Sequence, residues 1–326
     1  MIYIESHSTN PYYNLALEEY VFEQMDQSES YFMLWQNENT IVVGKYQNTA
    51  EEINQAFVDA HGIRVARRLS GGGAVYHDSG NLNFTFITDQ PGFARFNFQA
   101  FVKPVLGALE ELGVHAEFTG RNDLVLDGRK FSGNSQYAKH GRVLHHGCIM
   151  LDSDLDRVRG SLQVRDAKFT SKSVKSVRSR VTTINEHTPR RITMEEFKRT
   201  LLQQVHAEND VTEYRLTEAD QAAVLALMHE KYETWDWNYG FTRAYSIRRE
   251  QKFDGGLVTV DMDVAHGVIS DIRFSGDFFG SGDLQELTQA LRGVPLDAHL
   301  AQRLDNLGIE KYIHGVSAAD IALLML

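Results

Sequence analysis

Three consecutive glycines, Gly71, Gly72 and Gly73, separate two short strand-like segments, residues 63–66 and 74–76. A glycine has no Cβ atom, so it adopts positive φ angles readily and allows another group to approach its backbone closely. Consecutive N–H groups in such a loop can also converge on an anion. The alternative is that the glycines form only a flexible connection. The flanking strand-like segments favour a strand, a tight loop and a second strand.

A pair of arginines, Arg67 and Arg68, immediately precedes the glycines. A guanidinium group presents its donors in a fixed fork that matches a phosphate or a carboxylate. The loop is not a Walker loop, because no Gly-Lys-Ser/Thr follows, and the G-x-G-x-x-G spacing of a dinucleotide fingerprint is absent. We therefore predict a loop that binds an anionic ligand by another arrangement.

The chain has 326 residues, which is long enough for two domains. Its net charge of −11 argues against a nucleic-acid partner. Cys148 is the one cysteine of the sequence, so an internal disulfide is excluded. The first residues lack a basic and an apolar signal region, and no apolar run reaches the roughly 20 residues of a bilayer span. We expect a cytoplasmic protein without a membrane segment.

The apolar patterns predict an α+β chain. Residues 31–35 and 40–44 are predicted as strands that pair across a turn at residues 37–39. Further strands are predicted at residues 2–4, 63–66, 74–76 and 82–87, a hairpin around Asp127-Gly128, and helices at residues 11–25, 50–61 and 98–112.

The pattern changes after Tyr245. Residues 257–263 and 268–274 alternate around His266-Gly267 as a hairpin, and apolar positions then recur at helical spacing. The sequence predicts a catalytic domain over residues 1–246 and a small α+β domain over residues 247–326. The predicted helices of the small domain are residues 284–291, 297–307 and 317–324.

Lys130 follows the predicted hairpin turn and precedes small polar residues, Ser132, Gly133 and Asn134, that leave room for a ligand. An ammonium group held in such a place can bind a carboxylate and a phosphate together. In a preorganised site that excludes water, such a cation stabilises a developing charge by roughly a few kcal/mol. The alternative is one more exposed lysine.

Asn122 and Asp123 stand just before the hairpin and offer an amide and a carboxylate to a hard cation. Mg²⁺ usually binds one or two carboxylates together with substrate phosphates. The alternative is a turn closed by side-chain caps.

His145, His146 and Cys148 lie close together in the sequence. Adjacent side chains on a strand point to opposite faces, so the two histidines do not favour a shared zinc ion. Cys148 is either a nucleophile or a small residue of an apolar core.

Basic side chains are concentrated in residues 157–191, which have little apolar pattern and are predicted as a long loop. A solvated surface is the default interpretation of such a run. The alternative is a loop that closes over a polyphosphate or an acyl-adenylate and attracts an acidic partner domain.

Four segments, in this order and spacing, resemble the lipoate–protein ligase family. They read RRLSGGGAVYHD (67–78), GRNDLVLDGRKFSGNSQ (120–136), HHG (145–147) and SVRSRVTTI (176–184). The resemblance extends from residues 14–19 to about residue 245, and the C-terminal part resembles the accessory domain of the ATP-dependent members. It implies an α+β fold, with a mixed β-sheet catalytic domain like those of biotin ligases and class II aminoacyl-tRNA synthetases, plus a small α+β domain.

The resemblance also implies a reaction in two steps. Lipoate and ATP give lipoyl-adenylate and pyrophosphate, and a lysine of an acceptor lipoyl domain, of the E2 type or an H-protein, then displaces AMP. ATP and Mg²⁺ are the implied cofactors, and a working monomer is expected.

The family's catalytic lysine matches Lys130, which the resemblance places on both reacting groups. Nucleotide or adenylate contacts are implied at Arg68, Gly73, Ala74, Val75, Tyr76, Asn122, Asp123, Lys172, Arg178 and Arg180, with Asn122 and Asp123 supporting Mg²⁺. Lipoate contacts are implied at Arg67, Ser70, Gly71, Gly72, His77 and His146 near the carboxylate end, and at Leu15 and Trp35 along the aliphatic part. The loop around Lys172 and residues 176–180 is expected to be mobile without ligand and to order over the adenylate.

Two other functions remain open at the level of sequence. One is an ATP-independent acyltransferase that moves octanoyl or lipoyl groups through a thioester on Cys148. The other is a non-catalytic module that binds lipoate or its adenylate. The sequence leaves open the acceptor proteins and the choice between octanoate and lipoate.

Overall fold

The computed structural model describes residues 1–89, 98–119, 122–162, 180–240 and 245–326. Its strands are β1 (Ile2–Glu5), β2 (Tyr31–Trp35), β3 (Thr40–Val43), β4 (Arg64–Arg67), β5 (Val75–His77), β6 (Asn81–Asp89), β7 (Glu117–Thr119), β8 (Asp123–Leu126), β9 (Arg129–Lys139), β10 (Arg142–Met150), β11 (Thr212–Glu213), β12 (Ile247–Phe253), β13 (Gly256–Ala265) and β14 (Val268–Gly276). Its α-helices are α1 (Pro11–Glu23), α2 (Thr49–Glu52), α3 (Gln55–Ala60), α4 (Gln99–Glu111), α5 (Leu155–Ser161), α6 (Met194–Glu208), α7 (Glu218–Leu227), α8 (Trp235–Tyr239), α9 (Leu284–Leu291), α10 (Leu300–Asn306), α11 (Ile309–Tyr312) and α12 (Ala318–Met325).

A mixed sheet forms the centre of the fold, in the order β11-β1-β2-β6-β10-β9-β8-β7. The strand β1 runs parallel to β11 and β2, and the other neighbours are antiparallel. A second sheet, β4-β3-β5, carries the glycine loop between β4 and β5. The predicted strand, loop and strand around the glycines are therefore confirmed.

The two faces of the central sheet have different roles. Phe84 and Phe86 of β6 belong to an apolar core that includes buried residues of α4 and α6. Side chains alternate along a strand, so Asn83 and Thr85 point to the other face, where Thr85 donates a hydrogen bond to Glu18 of α1. One face of the sheet is thus closed by apolar packing against α4 and α6. The other carries these polar groups beside a second apolar core, in which Met33 and Leu144 pack with buried residues of α1.

The prediction that residues 31–35 and 40–44 pair is wrong. The strand β2 pairs with β1 and β6 in the central sheet, whereas β3 pairs with β4 and β5 in the second sheet. Both strands are buried along their whole length, so neither has the exposed face of a two-stranded ribbon. Residues 36–39 instead carry the chain from one sheet to the other.

Two predicted segments differ from the structure in their boundaries. The predicted helix at residues 50–61 is divided into α2 and α3, because Ile53 is extended and forms a bridge with Leu162. The predicted loop at residues 157–191 includes part of α5, whose N-terminus is capped by the side chain of Asp154. Residues 163–179 of that loop lie outside the described residues.

The C-terminal part has its own apolar core between the sheet β12-β13-β14 and the helices α9–α12. The predicted α+β character of this part is confirmed. The strand β12 was not predicted, because its side chains are mostly exposed and charged and show no apolar alternation. Among the described helices, none has the length and apolarity that crossing a membrane requires.

The packing of the central sheet gives a stability prediction. Phe84 is fully buried, so Phe84→Ala removes its contacts and leaves a cavity; we expect a loss of about 3–5 kcal/mol in the free energy of unfolding, measured by urea denaturation. Leu323, which is 74% exposed, provides the control, and Leu323→Ala should change that free energy by less than about 0.5 kcal/mol. Equal losses in the two variants would contradict this assignment of the core.

Candidate functional site

A cavity opens where the second sheet meets the polar face of the central sheet. It contains about 570 Å³ of empty space, including open solvent at its mouth. Among the residues assigned to ligands from the sequence, those that line it are Leu15, Trp35, Arg68, Gly72, Gly73, Ala74, Val75, His77, Asn122, Lys130 and His146. Val42, Asn83, Gly133, Asn134, Ser135, Gly147 and Cys148 complete the lining.

The strand register forms the cavity floor. Gly133, Cys148, Asn83 and Trp35 line the cavity and are directly opposite one another on successive strands from β9 to β2. Asp123 of β8 is paired with Gly133 and continues the row, but it does not line the cavity. Directly paired residues project from the same face of a sheet. A single row of side chains therefore leads from the hairpin of Lys130 to Trp35.

Lys130 reaches over one end of this row. Its Nζ atom lies 2.7 Å from Oδ1 of Asp123, and a Cβ atom added to Gly133 would meet Nζ at 2.8 Å. The glycine therefore leaves the space that the ammonium group occupies. The Lys130 side chain is 35% exposed, so a ligand in the cavity can reach it.

The backbone of Lys130 is held by residues near the end of the basic segment. Its N–H donates to the carbonyl of Arg180 at 2.7 Å, and its carbonyl accepts from the N–H of Thr182 at 2.9 Å. His187 bridges Thr182 Oγ1 and Asp127 Oδ2, each at 2.9 Å. The end of the basic segment is thus attached to the hairpin that carries Lys130.

Asn122 connects the start of β8 to β9. Its side-chain amide donates to the carbonyl of Asn134 at 2.6 Å, and its own carbonyl accepts from the Asn134 N–H at 2.9 Å. In the described part of the chain, there is no group of three or more His, Cys, Asp or Glu side chains that could hold a metal ion. Asn122 and Asp123 remain an amide and one carboxylate beside the cavity.

Arg68 is enclosed by the glycine loop. Its guanidinium donates to the carbonyls of Gly71 at 2.7 Å, Gly73 at 2.8 Å and Val42 at 3.1 Å, and to Ser70 Oγ at 3.1 Å. Burial lowers the pKa of Arg68 to about 10, so it stays charged at neutral pH. The N–H of Ala74 lies opposite the Gly73 carbonyl across a planar peptide and therefore points away from Arg68.

Arg67 does not reach the cavity, although the sequence assigned it to lipoate. Its guanidinium donates to Thr49 Oγ1 and to the carbonyls of Gly44, Lys45, Gln47, Trp237 and Asn238. Backbone carbonyls accept from the same guanidinium donors that a carboxylate would. The residue type alone therefore did not distinguish a ligand-binding arginine from a structural one. The structure gives Arg67 a bracing role between the second sheet and α8.

The glycine loop is packed closely, and the alternative of a flexible connection does not describe it. Gly72 has a φ of +88°. A Cβ atom on Gly71 would lie 2.2 Å from the carbonyl oxygen of Phe278, in the C-terminal part of the chain. Gly73 has open space around its Cβ position. Two of the three glycines are therefore required by conformation or by contact, and Gly71 serves the contact with the C-terminal part.

Behind the cavity wall, a chain of hydrogen bonds connects Ser70 to Trp35. Ser70 Oγ and His146 Nε2 are 2.6 Å apart, and His146 Nδ1 is 3.0 Å from Oε1 of Glu18. Thr85 donates to Glu18 and accepts from Nε1 of Trp35. Ser70 is buried and does not line the cavity, although its partner His146 does.

Glu18 was not assigned a role from the sequence. It is 2% exposed and accepts from both His146 and Thr85. Glu18 lies four residues after Asn14, which is also buried, so both are on one face of α1. Two polar residues among the otherwise apolar buried positions of α1 were the available signal.

Two further residues that the sequence assigned to the nucleotide, Tyr76 and Arg180, are positioned differently from what their residue types indicated. The side chain of Tyr76 points away from the cavity and donates to Asn39 Oδ1, because Val75 and His77 occupy the cavity face of β5. Tyr76 itself does not line the cavity. Arg180 is placed by its backbone bond to Lys130, while Lys172 and Arg178 lie outside the described residues.

Comparisons with known proteins decide the family. Residues 10–206 match the model of the lipoyl protein ligase A/B catalytic domain, and residues 242–325 match the model of the bacterial lipoate protein ligase C-terminus. The chain belongs to the lipoate–protein ligase family.

Curated relatives match this chain over nearly its whole length. The chain is 46% identical to lipoate–protein ligase 1 of Staphylococcus aureus, covering 97% of each chain. It is 42% identical to the lipoate–protein ligase LplJ of Bacillus subtilis, covering 98% of each chain. The protein is therefore a ligase, as the sequence motifs predicted.

Solved structures confirm the fold. The structure of P. falciparum LipL1 in complex with lipoate matches with a TM-score of 0.77 at 23% identity, over 96% of this chain and 95% of that one. A bipartite lipoate–protein ligase from Thermoplasma acidophilum, described together with its E2 lipoyl domain, matches with a TM-score of 0.65 at 26% identity, over 76% of this chain and 98% of that one. A lipoate–protein ligase A bound with ATP matches with a TM-score of 0.65 at 24% identity, over 74% of this chain and 98% of that one.

The packing of the glycine loop predicts different effects at neighbouring glycines. Gly71→Ala should cost about 1–3 kcal/mol in the free energy of unfolding, because the contact at 2.2 Å is with backbone and cannot be relieved by a side-chain movement. Gly73→Ala is the matched control and should change that free energy far less, since its Cβ position is open. Thermal unfolding of both variants measures the difference, and equal stability would refute the contact.

Proposed function

We propose that the protein is an ATP-dependent lipoate–protein ligase that completes two steps at the cavity. Lipoate is first converted to lipoyl-AMP, and the lipoyl group then passes to a lysine of an acceptor lipoyl domain. The observation that carries the proposal is the Lys130 ammonium group, which lies over the cavity floor and is paired with Asp123 at 2.7 Å. Residues 1–246 would form the catalytic domain and residues 247–326 the accessory domain.

In the first step, a carboxylate oxygen of lipoate attacks the α-phosphorus of ATP. The bond between that phosphorus and the bridging oxygen breaks, and pyrophosphate leaves. Both reactants are anions, so their approach requires a cation between them. Lys130 contacts both groups in this proposal and supplies orientation and charge stabilisation.

The nucleotide would occupy the end of the cavity near the glycine loop. The backbone from Gly73 to Tyr76 is proposed to contact the adenine and phosphates. Gly73 and Ala74 line the cavity, and the N–H of Ala74 is turned away from Arg68. Lys172, Arg178 and Arg180 of the basic segment are proposed to close over the adenylate.

Mg²⁺ would enter with the nucleotide. A single carboxylate, Asp123, with the neighbouring Asn122 fits an ion whose remaining ligands are water and substrate phosphate oxygens. When bound, the ion would neutralise the phosphates and stabilise pyrophosphate as it leaves.

The acyl chain would lie along the row of side chains that leads away from Lys130. Leu15, Val42 and Trp35 are apolar wall residues suited to an aliphatic chain. His77 and His146 also line the cavity, and Ser70 supports His146 from behind. Gly71 and Gly72 shape the loop above the chain.

In the second step, the amino group of an acceptor lysine attacks the carbonyl carbon of lipoyl-AMP. An amide bond forms, the bond to the phosphate oxygen breaks, and AMP leaves. Lys130 would hold the mixed anhydride during this attack. A lipoyl domain as acceptor is supported by the T. acidophilum ligase, which is described together with its E2 lipoyl domain.

The acyltransferase alternative depends on Cys148. This cysteine lines the cavity, and its Sγ atom is 3.7 Å from the carbonyl oxygen of Gly133. The neighbouring His146 is engaged by Ser70 and Glu18. The surroundings of Cys148 therefore favour a small residue of the cavity wall over a nucleophile. A requirement for ATP distinguishes the ligase from the acyltransferase.

Lipoate-dependent exchange of labelled pyrophosphate into ATP tests the first step without any acceptor. Lys130→Ala should reduce the exchange by about 100-fold or more, because a preorganised cation at the reacting charges is removed. Cys148→Ala should retain it. If the wild type and both variants lack exchange in the presence of Mg²⁺ and lipoate, autonomous adenylation is refuted. Acyl transfer through Cys148 then becomes the better account.

The basic segment leads to a prediction for the second step. If it attracts an acidic acceptor domain, raising the salt concentration from about 0.05 to 0.5 M should slow lipoyl transfer several-fold by screening. Pyrophosphate exchange measured over the same salt range is the control and should change less. A transfer rate that is independent of salt would exclude steering by charge.

A further inference from the structure

Two buried side chains of the cavity wall each have a nitrogen atom without a hydrogen-bond partner in the described part of the chain. They are His77, through Nε2, and Asn83, through Nδ2. Their residues are only 3% and 1% exposed, so water does not readily supply the missing bonds. Unpaired polar groups at such depth are uncommon in native proteins and require an explanation.

Neighbouring amides identify the free atom of His77 as a donor. Asn14 Nδ2 donates to the carbonyls of Ser8 and Gln36, which fixes that atom as the nitrogen, and it also donates to Asn37 Oδ1 at 2.9 Å. The Asn37 amide nitrogen therefore faces His77 Nδ1, at 3.2 Å. Since Nδ1 accepts, the ring proton is on Nε2.

His77 is also neutral. Burial, with Arg68 and His146 nearby, lowers the pKa of His77 to about 3. The ring is therefore uncharged over the whole physiological range and presents one N–H group. Its donor character comes from the tautomer and not from protonation.

Asn83 presents a second donor beside the first. Its Oδ1 accepts from Asn81 Nδ2 at 3.1 Å, and its NH₂ group has no partner among the described residues. Asn83 is directly paired with Trp35 in the strand register, and the Trp35 ring lies edge-on to His77 with centroids 6.2 Å apart. Trp35 therefore places the two donors in the same part of the cavity.

The donors lie at the end of the row that is far from Lys130, so His77 is beside Trp35 and not near the carboxylate end, to which the sequence assigned it. Gly133, which lies below Lys130 Nζ, is two strands away from Asn83, a separation of about 10 Å. An extended octanoyl-length chain spans roughly 9 Å at ordinary bond lengths. An acid whose carboxylate is held by Lys130 would therefore bring its other end to His77 and Asn83.

We propose that His77 and Asn83 select an acyl chain that ends in a dithiolane over one that ends in methylene groups. This inference rests on the proposed function, because it assumes that Lys130 binds the carboxylate. A ring sulfur is a weak acceptor and supplies what both N–H groups lack, whereas a methylene leaves them unpaired. The chain already contains such a contact, from Asn10 Nδ2 to Met228 Sδ at 3.8 Å.

The wild-type protein tests the inference without a substitution. Pyrophosphate exchange is measured with lipoate, with octanoate, and with 5-cyclopentylpentanoate, in which methylenes replace both sulfurs at nearly the same shape. We expect kcat/KM to be about tenfold higher for lipoate than for the cyclopentyl acid, since the latter leaves the donors unsatisfied.

Variants then assign the preference to the two residues. Asn83→Leu and His77→Phe remove the donors with little change in volume, and each should bring the ratio of kcat/KM for lipoate and the cyclopentyl acid closer to one. Ser153→Ala is the matched control: Ser153 also carries a buried unpartnered hydroxyl, but it lies outside the cavity lining. It should leave the ratio unchanged.

Equal kcat/KM for lipoate and the cyclopentyl acid in the wild type would overturn the selection, as would a tenfold preference that persists in both variants. If either variant fails to fold, the other and the wild-type substrate comparison still decide. Failure of the proposed function gives a different result, namely no exchange with any of the three acids.

Discussion

The cavity depends on two adjacent arginines whose charges are buried in the protein. Arg67 and Arg68 are 1% and 6% exposed, and transferring such a group from water is costly unless its donors are satisfied. Backbone carbonyls supply most of the acceptors, from residues 42–47, from the glycine loop and from α8. The Arg68 guanidinium thereby fixes the loop between β4 and β5, which forms one wall of the cavity, and Arg67 braces the second sheet against α8.

The opposite wall is determined by strand register. Direct pairing across β8, β9, β10, β6 and β2 brings residues that are far apart in sequence into one row. A shift of one residue in any of these pairs would turn the side chains of that strand to the apolar face. The apolar packing of Phe84 and its neighbours on the other face thus also maintains the order of polar groups in the cavity.

Much of this arrangement could be predicted from the sequence, because its signals are local. The glycine loop between two strands, the Asp127-Gly128 hairpin and the amphipathic helix α4 each follow from residues that are close in the chain. The family motifs located Lys130 and most of the cavity wall. What remained hidden depends on contacts between distant segments.

Arg67, Glu18 and Asn83 illustrate that limit. Arg67 bonds to Asn238, which is 171 residues away, and Glu18 bonds to His146, which is 128 residues away. Asn83 takes its place in the cavity wall only through the pairing of β6 with β2 and β10. Likewise, the separation of β2 and β3 into different sheets follows from long-range pairing that a short turn between them does not reveal.

The central claim is that one fixed cation, Lys130, serves both half-reactions. Its most direct test is a single-turnover experiment in which purified lipoyl-AMP is mixed with an acceptor lipoyl domain and either the wild-type protein or Lys130→Ala. The account predicts a large loss in the transfer rate of the variant, because the mixed anhydride loses its anchor. Transfer at the wild-type rate would contradict it and confine Lys130 to the formation of the adenylate.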